Sequence, residues 1–261
     1  MDKLQALLLK LRERKRIFTT TMIGPEWPAV VQRLGESALD CLILDIEHGA
    51  LGVESSEPML RTARLVDLPT IVRVPDVVPD YISKIIDMGA DGVMLPRVES
   101  EAQVALAIRS MRFSPRGRKG CGGFSLFRKG ESFDEINDNR MIWIQIESRE
   151  GVDALPGILS RFGDEIACVV IGPYDMSIMI GKPLEIKCEA MLSNVREVFT
   201  ICREHNKSCG IFVDGALDLD LWNSLGANIF WVGTELSLLM SAIADIHERI
   251  LSLEDYSLND K

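Results

Sequence analysis

Basic charge is what this sequence most lacks. Its 29 Lys and Arg stand against 39 Asp and Glu, a formal net charge of -10 over 261 residues. Nucleic acid and anionic membrane surfaces both require a basic footprint, so neither is an expected partner. An anionic small molecule requires only a local gathering of arginines. No apolar run reaches the length of a membrane span, and the opening Met1-Asp2-Lys3-Leu4 has no signal-peptide character. Cys41, Cys121, Cys168, Cys188, Cys202 and Cys209 form no C-x-x-C pair, and several fall in apolar segments where a free thiol behaves as a small core residue. A disulfide framework or a structural zinc site is therefore not expected, and a reducing cytoplasm is the natural setting. The first strand–helix turn, Gly24-Pro25-Glu26, lacks the glycine fingerprint of a doubly wound dinucleotide-binding sheet.

What the chain does contain is a rhythm. Its apolar fraction of 47% supports a substantial core. Short apolar runs, read as buried strands, lie at Ile17 to Gly24, Cys41 to His48, Thr70 to Val74, Gly92 to Val98, Met141 to Glu147, Ile166 to Gly172, Ser208 to Val213 and Asn228 to Gly233. Helical periodicity fills the intervals, with Pro25 and Pro79 in first turns, and ends in a long helix from Glu235 to Leu253. Leu4, Leu7, Leu8 and Leu11 recur at helical spacing, so residues 2–14 are expected to cover one end of the fold. Strands alternating with helices and no linker describe a single α/β domain over 1–261, a (β/α)8 TIM barrel. None of the eight runs contains a lysine, so a Schiff-base lysine on a strand is not available.

The rhythm breaks once. Residues 114–129 form a glycine-rich loop carrying Arg116, Arg118, Lys119, Arg128 and Lys129, expected to be either functional or a solvated excursion.

Barrel enzymes place their chemistry at the carboxyl ends of the strands. There the sequence sets Asp45, Glu47 and His48 from the second strand and Arg73 from the third. Glu147 follows from the fifth, and Asp175 lies just beyond the sixth. Glu147 and Asp175 either offer a hard divalent cation two oxygen donors or are exposed carboxylates, Asp175 capping a turn. Arg73 either forks onto a substrate carboxylate or pairs with Glu47 or Asp45. His205 and His247 lie on helices and are read as surface or packing residues. Met176, Met179 and Leu238-Leu239-Met240 are read as core or interface.

Six motifs occur in order along the barrel: Asp45-Ile46-Glu47-His48-Gly49, Val72-Arg73-Val74-Pro75, Leu95-Pro96-Arg97-Val98-Glu99, Pro115-Arg116-Gly117, Gln145-Ile146-Glu147-Ser148 and Gly172-Pro173-Tyr174-Asp175-Met176-Ser177. In this the chain resembles the HpcH/HpaI aldolases, metal-dependent (class II) 2-keto acid aldolases. The resemblance implies reversible cleavage of a 2-keto-4-hydroxy acid to pyruvate, or a close analogue, and an aldehyde. It implies Glu147 and Asp175 as ligands of Mg²⁺, Mn²⁺ or Co²⁺, and an Asp45–His48 dyad whose imidazole is the base, acting through a bound water. It implies Arg73 and Gln145 as pyruvate contacts, with Gly172 and Ser177 also on the substrate-binding side. It further implies a homo-oligomer, commonly a hexamer, whose last helix packs on a neighbouring subunit. The alternative on the same scaffold is a metal-independent citrate synthase of the siderophore type, joining acetyl-CoA to oxaloacetate. A barrel that has lost catalysis and serves as a binding or assembly subunit is a further rival. The chain departs from the family pattern at Lys119, at Glu235 in Gly233-Thr234-Glu235, and at Arg97, an extra cation expected to favour a more acidic acceptor.

Overall fold

Strands β1 (Ile17–Met22), β2 (Cys41–Asp45), β3 (Thr70–Arg73), β4 (Gly92–Leu95), β5 (Met141–Ile146), β6 (Ile166–Ile171), β7 (Ser208–Val213) and β8 (Ile229–Thr234) are parallel neighbours in chain order. Pairing of β1 with β8 closes them into a barrel. This is a computed structural model, and it describes residues 2–122, 127–215 and 218–253. The expected (β/α)8 fold is the one observed.

Alternate residues of each strand face opposite sides, and both sides are buried, which is why the runs read as nearly continuous apolar sequence. Leu42, Leu44, Val72, Ile142, Ile144 and Val169 pack among the helices. Ile43, Ile71, Met94, Trp143, Val170 and Ile229 fill the barrel. Helix α1 (Lys3–Arg12), capped by Asp2, adds Leu4, Leu7, Leu8 and Leu11 to that interior cluster and plugs the amino-terminal end.

The outer ring is α2 (Pro28–Leu34), α3 (Val53–Leu65), α4 (Pro79–Asp87), α5 (Glu101–Met111), α6 (Phe133–Asn139), α7 (Arg149–Phe162), α8 (Pro173–Met179), α9 (Glu189–Glu204), α10 (Leu219–Leu225) and α11 (Glu235–Leu251). Several strands end earlier than the sequence suggests, for local reasons. β2 stops at Asp45, whose carboxylate accepts the N–H groups of Glu47 and His48 and turns the chain out of the ladder. β4 stops at Leu95 because Arg97 is left-handed, with φ 47°. β1 stops at Met22, where Glu235 accepts the N–H groups of Ile23 and Gly24, and α2 begins at Pro28 rather than Pro25. The expected start of α10 at Leu217 lies outside the described residues. Helix α6 lies between the expected loop and β5, in a stretch assigned to no element from the sequence; its capping box, Ser132 with Glu135, was present there.

The basic loop, in its described part, serves structure. Arg116 pairs with Glu165 and Asp138, and buried Lys119 pairs with Asp87 at 2.7 Å. Arg128 reaches Asp91 at 2.9 Å. Asp91 and Glu165 directly precede β4 and β6, so these cations lie on the amino-terminal face, away from the strand ends where chemistry was expected.

No side chain of helix α11 is fully buried, and Leu238 packs only partly against the core. Leu236, Leu239, Met240, Ile243, Ile246 and Ile250 are all exposed along it. Among the described residues no helix is long and apolar enough to cross a membrane.

Candidate active site

Parallel register sets Asp45 of β2 beside Arg73 of β3, and this pairing founds the site. The Arg73 guanidinium forks onto the carboxylate, Nε donating to Oδ1 at 3.0 Å and Nη2 to Oδ2. Asp45 is fully buried and Arg73 nearly so. Burial opposes the charge of Arg73, but Asp45, Glu47 and Glu147 outweigh it and hold the guanidinium pKa above its usual value. The guanidinium also lies 5.4 Å from the ring centre of Trp231, within cation–π reach.

Three acidic side chains follow around the rim. Burial raises the pKa of Glu47, against the pull of Arg73 and Arg97. Arg97 binds Glu47 through Nη1, holds the Pro75 carbonyl through Nη2 at 2.9 Å, and donates its backbone N–H to Glu147 Oε2 at 2.9 Å. Glu147 is 3% exposed, and its pKa is pushed up to about 8. Burial is the main cause; the Arg97 N–H opposes it, and repulsion from Asp175 and Glu47 adds to it. Gln145 donates Nε2 to Glu147 Oε1 at 2.6 Å, while its buried Oε1 has no hydrogen-bond partner. Gly172 leaves room for this cluster: a Cβ there would stand 2.2 Å from Glu147 Oε1 and 2.5 Å from Gln145 Nε2. Asp175 is exposed in the first turn of α8.

These residues meet at one cavity of about 410 Å³ lined by Asp45, His48, Arg73, Gln145, Gly172 and Asp175, with Glu147 beneath Gly172. Sites drawn from the second, third, fifth and sixth strand ends thus open onto a shared space. Hard oxygen donors, a buried carboxylate and an orphaned amide oxygen suit a divalent cation that keeps water and substrate in its shell. Among the described residues no three His, Cys, Asp or Glu side chains form a ready-made metal cage.

Three expectations change. The Asp45–His48 dyad is not formed between side chains, because both Asp45 oxygens engage Arg73 and the turn N–H groups. The half-exposed His48 imidazole instead sits 3.9 Å from Glu47 Oε2. Ser177 is buried inside α8, donating to the Tyr174 carbonyl at 2.6 Å and accepting from the Leu184 N–H at 3.0 Å, so its hydroxyl closes a turn and does not line the cavity. Arg97 is engaged by Glu47 and Pro75 and is not a spare cation for an acidic acceptor. The sequence reading also missed the far wall of the cavity, Tyr174, Phe212, Asp214 and Trp231. Tyr174 follows β6, Phe212 and Asp214 lie at the end of β7, and Trp231 lies within β8.

The family model for HpcH/HpaI aldolase/citrate lyase matches residues 23–242. A 5-keto-4-deoxy-D-glucarate aldolase of Citrobacter koseri is 28% identical over 222 residues, covering 82% of this chain and 84% of its own. The solved HpcH/HpaI aldolase of Desulfitobacterium hafniense superposes with a TM-score of 0.84 at 24% identity, covering 95% of this chain and 98% of that one. A solved citrate synthase shares the fold with a TM-score of 0.80 at 23% identity, covering 94% of this chain and 96% of that one. The family match runs from the exit of β1 into α11 and so takes in every strand end described above: this chain belongs to the HpcH/HpaI aldolase/citrate lyase family.

Proposed function

We propose that this protein is a class II aldolase that reversibly cleaves a 2-keto-4-hydroxy acid to pyruvate, or a close analogue, and an aldehyde. The observation that carries this reading is the convergence of Arg73, Gln145, Glu147 and Asp175 around the space that Gly172 leaves open. A curated relative named as a 5-keto-4-deoxy-D-glucarate aldolase, alike over 82% of this chain, supports aldolase chemistry above acetyl-CoA condensation. The citrate synthase neighbour, at 23% identity, supports only the fold.

In this reading Glu147 and Asp175 hold the divalent ion, Mg²⁺, Mn²⁺ or Co²⁺. When bound, the ion supplies Lewis-acid polarisation of the keto oxygen. Arg73 gives two nitrogens to Asp45, and Nη1 is the arm assigned to the keto acid, stabilising the negative charge that grows as the carbon–carbon bond breaks. Gln145 orients the same group. His48, at the rim, takes the proton of the C4 hydroxyl directly or through water. Asp45 positions both partners, the guanidinium through its oxygens and His48 through the backbone N–H.

The exposed apolar side of α11 supports assembly of copies through that helix, in the hexamer that the family resemblance implies. Six free cysteines, four of them buried, suit a reducing cytoplasm.

Lactate-dehydrogenase-coupled detection of pyruvate from a set of 2-keto-4-hydroxy acids tests the activity. Turnover that disappears on chelation and returns with Mn²⁺ or Mg²⁺ is expected. Thiol release from acetyl-CoA with oxaloacetate, unaffected by chelation, would instead establish the citrate-synthase chemistry.

A further inference from the structure

Around the closed barrel the cavity lining changes character. From β2 to β6 it presents Asp45, His48, Arg73, Gln145 and Asp175. From β7 through β8 to β1 it presents Phe212, Trp231 and Ile23, with Tyr174 of α8 beside them. Phe212 and Trp231 are register partners on adjacent strands and meet edge to face, ring centres 5.0 Å apart; Tyr174 lies 6.0 Å from Phe212.

Apart from the Tyr174 hydroxyl, the polar side chains of this second arc are largely committed within the protein. The Trp231 indole N–H donates to Thr21 Oγ1, and Thr234 and Ser237 exchange hydrogen bonds that cap α11. The one charged group among the described lining residues of this arc is Asp214, exposed just past β7. Among the described lining residues Arg73 is the only permanent cation, and Asp45 already holds two of its nitrogens.

The keto-acid half of the substrate uses the first arc, so the carbon chain beyond the breaking bond meets the second. We propose, building on the aldolase reading, that this arc selects an uncharged aldehyde with an apolar or aromatic body and rejects aldehydes that carry a carboxylate. An apolar body is drawn out of water against Phe212, Trp231 and Tyr174, with edge-to-face geometry open to a ring. A second carboxylate would meet Asp214 and find no cation to receive it. This departs from the glucarate-derived substrate in the names of the curated relatives. In the condensing direction, pyruvate loses a proton from C3, and C3 forms a bond to the aldehyde carbon. The aldehyde oxygen takes up a proton as the new 4-hydroxyl, so no further reactant is required.

The test gives the full-length protein pyruvate and Mn²⁺ with benzaldehyde, hexanal, glyoxylate or succinic semialdehyde, and reads kcat/KM for each. Values at least about tenfold higher for the two uncharged aldehydes are expected, the usual scale of apolar-pocket discrimination. Asp214→Asn should narrow the gap by raising the carboxylated pair, and Phe212→Ala by lowering benzaldehyde, with Tm confirming that each variant folds. Equal or higher values for the carboxylated pair, or a gap unmoved in both folded variants, overturn the selectivity and leave the aldolase reading standing. No condensation with any aldehyde, together with no pyruvate release from any 2-keto-4-hydroxy acid, overturns both.

Discussion

Arg97 donates its backbone N–H to Glu147 Oε2 at 2.9 Å while its guanidinium pairs with Glu47, so one residue steadies two acids of the same rim. It does so from a left-handed backbone, φ 47°, that side chains with a Cβ adopt at a cost. Arg97→Ala keeps the N–H and strips the partner from Glu47. A loss of ~1 kcal/mol, discounted for the half-exposed arginine, is expected. That corresponds to a Tm lower by roughly 2–4 °C. Arg97→Gly, free of the backbone cost, should melt above Arg97→Ala in the same calorimetric comparison.

The Asp45–Arg73 fork is buried, so removing one member strands the charge of the other. Arg73→Met should destabilise the fold by ~3–5 kcal/mol in urea unfolding. It should also lower kcat/KM by roughly two orders of magnitude or more, the scale of losing an oriented charge donor. Full activity in a folded Arg73→Met protein would remove the guanidinium from the chemistry.

His48→Ala should lower kcat by about two to four orders of magnitude, the range for a positioned base. Since His48 is half-exposed and its imidazole makes no bond to Asp45, the substitution should leave Tm almost unchanged. A large fall in Tm would mean that the histidine is holding structure.

At Gly172 the space itself is what the substitution removes. Gly172→Ala puts a Cβ within 2.2 Å of Glu147 Oε1, so the carboxylate or the strand end must move. Weaker Mn²⁺ binding by calorimetry, with a fold preserved by circular dichroism, is the expected outcome.

Protonation of Glu147 links stability to pH. Its folded pKa, about 8, lies above the ordinary carboxylate value, so the stabilisation is complete at low pH. It is lost as pH rises through about 8. Chelated protein should therefore show a falling Tm between roughly pH 5 and pH 9. Divalent ion, which binds the deprotonated carboxylate, should bind more tightly across the same interval and flatten the curve. A Glu147→Gln protein should lack the slope.

The barrel was legible because buried parallel strands write themselves as apolar runs, and Cys41 to Leu44 or Ile142 to Ile144 could hardly be anything else. The acids and arginine at their ends were legible for the same reason: polar residues closing such runs project from the sheet. Pairings were not. Arg97 and Glu47 lie 50 residues apart in sequence, and only the barrel's closure brings them together, so Arg97 read as a spare cation. Asp45 and His48 are close in sequence, and that proximity suggested a dyad; Arg73, across the β2–β3 ladder, competes for the same oxygens and has the better geometry. Phe212 and Trp231 read as core because an apolar run does not announce which of its members reaches the mouth.

Glu235 has a reach beyond its place at the head of α11. Its carboxylate grips the chain at Ile23 and Gly24, and Ile23 is part of the cavity wall. A shift of the outer helix would thereby reach the wall of the cavity. A neighbour leaning on α11 would bear on the cavity mouth through this tether and through Thr234 and Ser237, which also line the cavity.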